Sequence, residues 1–172
     1  MTSIALFVSC SEKIEQVPKF ADAQLNIPAF FNKEIAHLKA LNPKVSKTVV
    51  KDTIAETQEM QINNWDTELA SFVAVDINKP AYGGYLKKDS SDLTVTYSST
   101  NPALEIQFVQ IKYDAAGKPL SFLIEKNIDN LLYQTAEKLT YTTGESYRLE
   151  KKQHVLLLGD KYYQISGDIK PL

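Results

Sequence analysis

From Tyr82 onward the apolar residues of this chain recur at every second position, whereas before it they recur every three to four. This change of period constrains the fold more than any other feature, because a period near 3.6 belongs to a helix and a period of 2 to a strand. In DLTVTYS the alternation runs Leu93, Val95, Tyr97. In EIQFVQIKY it runs Ile106, Phe108 and then Ile111, Tyr113, with a slip at Val109 that marks a β-bulge or a strand covered on both faces. YGGYLKK, LSFLIEK, LYQTAEKLTY, SYRLEKKQHVLLL and KYYQISG are further runs of strand formers. Turn signals separate them at residues 89–92 (DSSD), 99–102 (STNP), 114–119 (DAAGKP), 142–145 (TTGE) and 159–161 (GDK). Short loops between consecutive strands make antiparallel neighbours, so this half predicts a meander of about six or seven strands.

The preceding half carries two helical patterns. In residues 28–41, Phe31, Ile35, Leu38 and Leu41 lie on one stripe, Pro28 suits the first turn, and Asn42-Pro43 ends the run. Residues 63–80 (NNWDTELASFVAVDINKP) place Trp65, Leu69, Phe72 and Val73 on one face. Asn63 or Asn64 serves as cap, Asp66 and Glu68 favour the first turn, and Pro80 closes the segment. Between them, KVSKTVVKDTIAETQEMQI is rich in β-branched residues and predicts extended chain. Helices followed by strands argue an α+β domain over residues 27–172, with two amphipathic helices packed on one face of an antiparallel sheet.

Composition narrows the partners. Nineteen basic residues against 21 acidic ones give a net charge of −2, and the densest basic cluster, EKKQH at 150–154, reads as a solvated strand face. Nucleic-acid binding is not expected from such a balance. With one cysteine, Cys10, the chain forms no internal disulfide, and no apolar run reaches the ~20 residues of a spanning helix.

No residue pattern predicts catalysis or a cofactor. Glu34 and His37 stand at i, i+3 on the first helix, the local geometry of a carboxylate-bridged metal site, but no second such pair exists to complete it. His154 reads as a cross-strand histidine, and DSSD lacks the ligand spacing of a calcium loop. No metal is therefore expected. Gly83-Gly84 reads as a turn or bulge pair, with no phosphate-cradling motif. The distinctive composition is aromatic: all nine tyrosines fall from Tyr82 onward. Tyrosine pairs well across a pleated surface, which accounts for them structurally. Alternatively Tyr85, Tyr97, Tyr133 and Tyr141, with Trp65, form an exposed face for a glycan, a peptide or an apolar chain.

At the start of the chain an apolar run, Ile4, Ala5, Leu6, Phe7 and Val8, ends in Ser9 and Cys10, and a polar stretch (SEKIEQVPKFADAQ) follows. The arrangement FVSC resembles the lipobox of bacterial lipoproteins. That resemblance implies export, cleavage after Ser9 and acylation of Cys10. It divides the chain into a truncated signal at 1–10, a tether at 11–26 and the domain. The leader is shorter than usual and holds no basic residue, so the reading expects in-frame sequence upstream of Met1. Without the resemblance, the run reads as a short buried strand with Cys10 as a small hydrophobe. A catalytic thiol has less support, because neither histidine sits in a nucleophile motif. The run NWDTELASFVAVDINKPAYGGY, followed by a tyrosine-rich meander, is similar to uncharacterised lipoproteins of Gram-negative bacteria.

Together these features predict a non-catalytic envelope lipoprotein, on the periplasmic or surface side of a membrane it holds through a lipid on Cys10. It would act as a binding or assembly module for an envelope protein or component, through its aromatic sheet face or its sheet edge. Two other expectations stay open: a carrier of an apolar ligand in a pocket lined by Trp65, Leu69 and Phe72, and a hydrolase of envelope polymers.

Overall fold

The computed structural model describes residues 24–171. The expectations for the N-terminal signal, for most of the tether and for Cys10 lie outside the described residues.

The first helix, α1 (Ile27–Leu41), forms as its periodicity predicts. Asn26 caps it by accepting a hydrogen bond from the Ala29 amide at 2.9 Å, Pro28 sits in the first turn, and Asn42 closes it in the left-handed conformation. Phe31, Ile35 and Leu38 of the predicted stripe are buried and Leu41 is exposed, while Ile27, ahead of the expected start, joins the buried face. The extended segment after it is a hairpin, β1 (Lys44–Lys51) and β2 (Ile54–Gln61).

The predicted second helix is broken. It consists of two short pieces, α2 (Trp65–Glu68), capped by Asn64, and α3 (Ala70–Val73), with Leu69 out of helical geometry between them. Trp65, Leu69 and Phe72 are buried as the pattern requires and Val73 only in part, while the burial runs on through Val75 and Ile77, past the end of α3. At the break, Glu68 is drawn to the sheet, where it accepts a hydrogen bond from Tyr147 at 2.7 Å and pairs with Lys47 at 2.6 Å. A 3₁₀ turn (Pro80–Tyr82) and a Gly83-Gly84 turn then replace the first residues of the expected YGGYLKK strand.

Seven strands follow: β3 (Leu86–Ser91), β4 (Thr94–Ser99), β5 (Ile106–Tyr113), β6 (Pro119–Asp129), β7 (Tyr133–Thr142), β8 (Ser146–Val155) and β9 (Gly159–Ile169). They form the expected antiparallel meander, and β9 continues onto β1. The sheet therefore has nine strands in the order β2-β1-β9-β8-β7-β6-β5-β4-β3, not six or seven. The two extra strands are the β1–β2 hairpin, whose extended character was legible but whose place in the sheet depends on a pairing more than 100 residues away in sequence. The α+β class holds, with α1, α2 and α3 against one sheet face.

The phase slip in EIQFVQIKY is a bulge. The register shifts between Ile106 and Phe108, so Ile106, Val109, Ile111 and Tyr113 all face the core. Two turns fall elsewhere than predicted. The β3–β4 turn is Asp92-Leu93, with Asp92 at φ 50°, so DSSD belongs largely to strand β3. The β8–β9 turn occupies Leu156, Leu157 and Leu158, and Gly159 already opens β9. Three leucines in a row read as buried strand by every rule of patterning, and here they form a hairpin tip.

Candidate functional site

The helix-covered end of the sheet accounts for most of the tyrosines. Tyr141 lies among Phe31, Phe72 and Phe122 with ring centroids 5.0–6.4 Å apart, and its hydroxyl donates to Glu34 at 2.8 Å. Glu34 thus serves a buried phenol instead of a metal, and His37 points to solvent. Burial, then the Glu34 charge and hydrogen bond, push the Tyr141 hydroxyl far above its ordinary pKa. Tyr147 is held likewise by burial and Glu68, and its ring packs edge-on to Trp65 at 6.0 Å. Opposite it stands Gly167, where a Cβ would lie 2.4 Å from the Tyr147 ring, so only glycine fits.

These contacts overturn the aromatic platform. Trp65, Tyr97 and Tyr141 are buried at 2%, 3% and 1% exposure, Tyr133 is half-buried, and Tyr85 alone of the five is exposed. The reason is the period of the strands: alternation that places tyrosine on one face also places that face under the helices. Trp65, Leu69 and Phe72 belong to the same continuous core and line neither of the hollows described below, which removes the carrier pocket expected there.

Moving along the same face away from the helices, the apolar rows give way to charge. Lys126, on the inward alternation after Phe122 and Ile124, is 7% exposed and pairs with Glu105 at 2.8 Å and with Glu137 at 3.2 Å. Lys151 reaches Glu137 at 3.2 Å. Burial alone would lower the Lys126 pKa and raise that of Glu137. The two glutamates outweigh burial for Lys126 and the two lysines outweigh it for Glu137, so Lys126 is shifted up, Glu137 down, and both stay ionised. This network seals the core.

On the other face of the same strands, away from the helices, lies a hollow of about 890 Å³, floored by β6–β9 and rimmed by Asp52, Thr53 and Pro102 from two neighbouring loops. Asn127, Ala136, Lys152 and Tyr162 stand side by side across it in one row and Asp129, Gln134, His154 and Asp160 in another, while the row between them, Ile128, Thr135, Gln153 and Lys161, belongs to the inward alternation. Asn127 and Tyr162 add an amide and a phenol, and His154 lies 2.6 Å from Asp160. Three carboxylates (Asp52, Asp129, Asp160) face two lysines (Lys152, Lys161), so the lining is nearly balanced in charge. A smaller hollow of about 380 Å³ adjoins it through Asn127, Ala136 and Lys152. Thr135 is 4% exposed, and its hydroxyl finds no partner among the described residues, whereas buried hydroxyls are ordinarily hydrogen-bonded. Trp65 Nε1 is the other such atom, enclosed in the core.

Sequence reasoning missed this end of the molecule. Its signals were present: a lysine on an inward position of β6, and leucines where a turn should be polar. Among the described residues no three His, Cys, Asp or Glu side chains gather as metal ligands, and no helix is long and apolar enough to cross a membrane. No family model, curated protein or solved structure matches the chain.

Proposed function

We propose that the chain is a non-catalytic envelope lipoprotein, tethered through Cys10, whose binding site is the hollow at the end of the sheet away from the helices. One observation carries the choice of site: two outward rows of side chains, Asn127–Ala136–Lys152–Tyr162 and Asp129–Gln134–His154–Asp160, floor a hollow large enough for a small ligand. Amides from Asn127 and Gln134, a phenol from Tyr162 and nearly balanced charge suit an uncharged ligand rich in hydroxyls and amides. A glycan strand of the envelope has that chemistry. A hydrolase reading would rest on His154 and Asp160, but those side chains are 58% and 90% exposed, and the hydrogen bond of the imidazole is to the carboxylate and not to a nucleophile.

Soluble N-acetylglucosamine oligomers titrated into the full chain test the site by amide NMR. Shifts centred on Asn127, Gln134, Lys152 and Tyr162, lost in Asn127→Ala, are expected. No shifts, or shifts at the helix-covered end, would overturn it. The tether is read separately, by incorporation of labelled lipid into wild type and its loss in Cys10→Ala.

A further inference from the structure

Two hairpin tips project from the end of the sheet that holds the hollow, and between them they carry five exposed leucines. Residues 130–132 join β6 to β7 and present Leu131 and Leu132, 95% and 68% exposed. Residues 156–158 join β8 to β9 and present Leu156, Leu157 and Leu158, 60%, 98% and 72% exposed. The tips are one unit, because the Leu156 amide donates to the Leu132 carbonyl at 3.0 Å. Each is firmly built. Asn130 Oδ1 accepts from the Leu132 and Tyr133 amides at 2.9 and 3.0 Å, and the Leu158 amide donates to the Val155 carbonyl.

Single exposed leucines need no explanation, but five on six tip residues do. Leu157 sharpens the point. Its φ is 73°, a left-handed conformation that favours Gly or Asn and penalises Leu, and its side chain touches no core. A leucine there serves neither the backbone nor the packing of the fold.

We propose that these two tips insert their leucines into the surface of a lipid bilayer, seating the open end of the sheet on the membrane. Three observations choose this occupant over a protein. The patch is convex, formed by protruding tips and not by a groove. It offers six residues, where a stable protein interface uses about 20–30 a side. The nearby charges, Asp129 and Asp160 against Lys152 and Lys161, are balanced and give no complementarity to a charged partner. A bilayer asks for no matching shape and rewards aliphatic side chains that reach past the headgroups. Tyr133, half-buried at the base of one tip, stands where an aromatic ring meets the headgroup level. The contact adds to the lipid tether of the reading above but does not depend on it.

The test uses the full chain carrying Cys10→Ala, so that no acyl group contributes, in co-flotation with vesicles of phosphatidylcholine alone and of phosphatidylethanolamine with phosphatidylglycerol. Binding to both, little changed by salt, is expected. Leu131→Ser and Leu157→Ser should each weaken partitioning, by roughly tenfold when the side chain is fully inserted. Leu157→Gly should lose binding while thermal stability stays level or rises, a divergence that a structural role for the leucine would not produce. Absence of vesicle binding overturns the proposal, as does binding that the leucine variants leave unchanged. A concentration-dependent dimer abolished by Leu157→Ser, without vesicle binding, would assign the tips to a second copy and also overturn it. Failure of acylation at Cys10 would refute the tether and leave this result standing.

Discussion

At the helix-covered end of the sheet, Tyr141 and Tyr147 are wrapped by aromatic rings and their hydroxyls are met by Glu34 and Glu68; at the opposite end, Thr135 lacks a partner and leucines stand in solvent. Both ends belong to the same strands with the same alternation. The difference lies in what covers them. Where α1, α2 and α3 lie on the sheet, the inward positions are filled and the Tyr141 and Tyr147 hydroxyls are answered by carboxylates from the helices. Past the Lys126–Glu137–Lys151 network the inward positions continue, but helices no longer cover them, and the side chains become those of a surface that meets something else. The covered end explains why the protein folds, and the open end is where its function is sought.

Substitutions at the two ends should differ in both size and sign of effect. Phe31→Ala, which empties the centre of the aromatic cluster, should destabilise by about 3–5 kcal/mol in chemical unfolding. Gly167→Ala forces a methyl against the Tyr147 ring and should cost about 1–3 kcal/mol, whereas Gly144→Ala, whose site has open space but a φ of 72°, tests strain alone. Glu68→Ala leaves the Tyr147 hydroxyl and Lys47 without their acceptor and should cost about 1–3 kcal/mol. At the open end the sign reverses. Thr135→Val removes an unmet hydroxyl and should leave stability level or raise it by up to ~1 kcal/mol.

The two ends also differ in pH response. At the covered end, burial raises the pKa of Tyr141 and Tyr147 far above 10, and burial with the nearby Tyr97 pushes Tyr113 up to about 12. A raised folded-state pKa contributes stability that is whole below the unfolded value near 10 and is lost as pH climbs toward the folded value. Alkaline unfolding should therefore begin above about pH 10, and spectrophotometric titration should show these phenols ionising with unfolding. At the boundary, Glu137 has a depressed pKa, so its contribution is whole above the ordinary carboxylate value and is lost as pH falls through the folded one. Glu137→Gln should flatten the acid limb of the stability curve below about pH 4.5.

What was legible in the chain follows the same division. The stripe of α1, the alternation from Val95 to Tyr141 and the bulge behind the Val109 slip are local consequences of periodicity, and they appear where the residues place them. The break at Leu69 and the pairing of β1 with β9 are set by tertiary contacts, which no short window contains. The candidate site was misplaced for a related reason. Strand periodicity tells that Tyr97 and Tyr141 share a face, but not whether that face lies under a helix. The triple leucine of 156–158 was misread because patterning assumes that apolar residues go inside, and at a lipid-facing tip that assumption fails.

The most direct test of the account is a residue-resolved NMR comparison of the full chain carrying Cys10→Ala with and without phosphatidylcholine bicelles. The account predicts broadening at residues 130–132 and 156–158 and unchanged signals around Tyr141, Tyr147 and α1. Perturbation centred on the helix-covered end, or none anywhere, would contradict it.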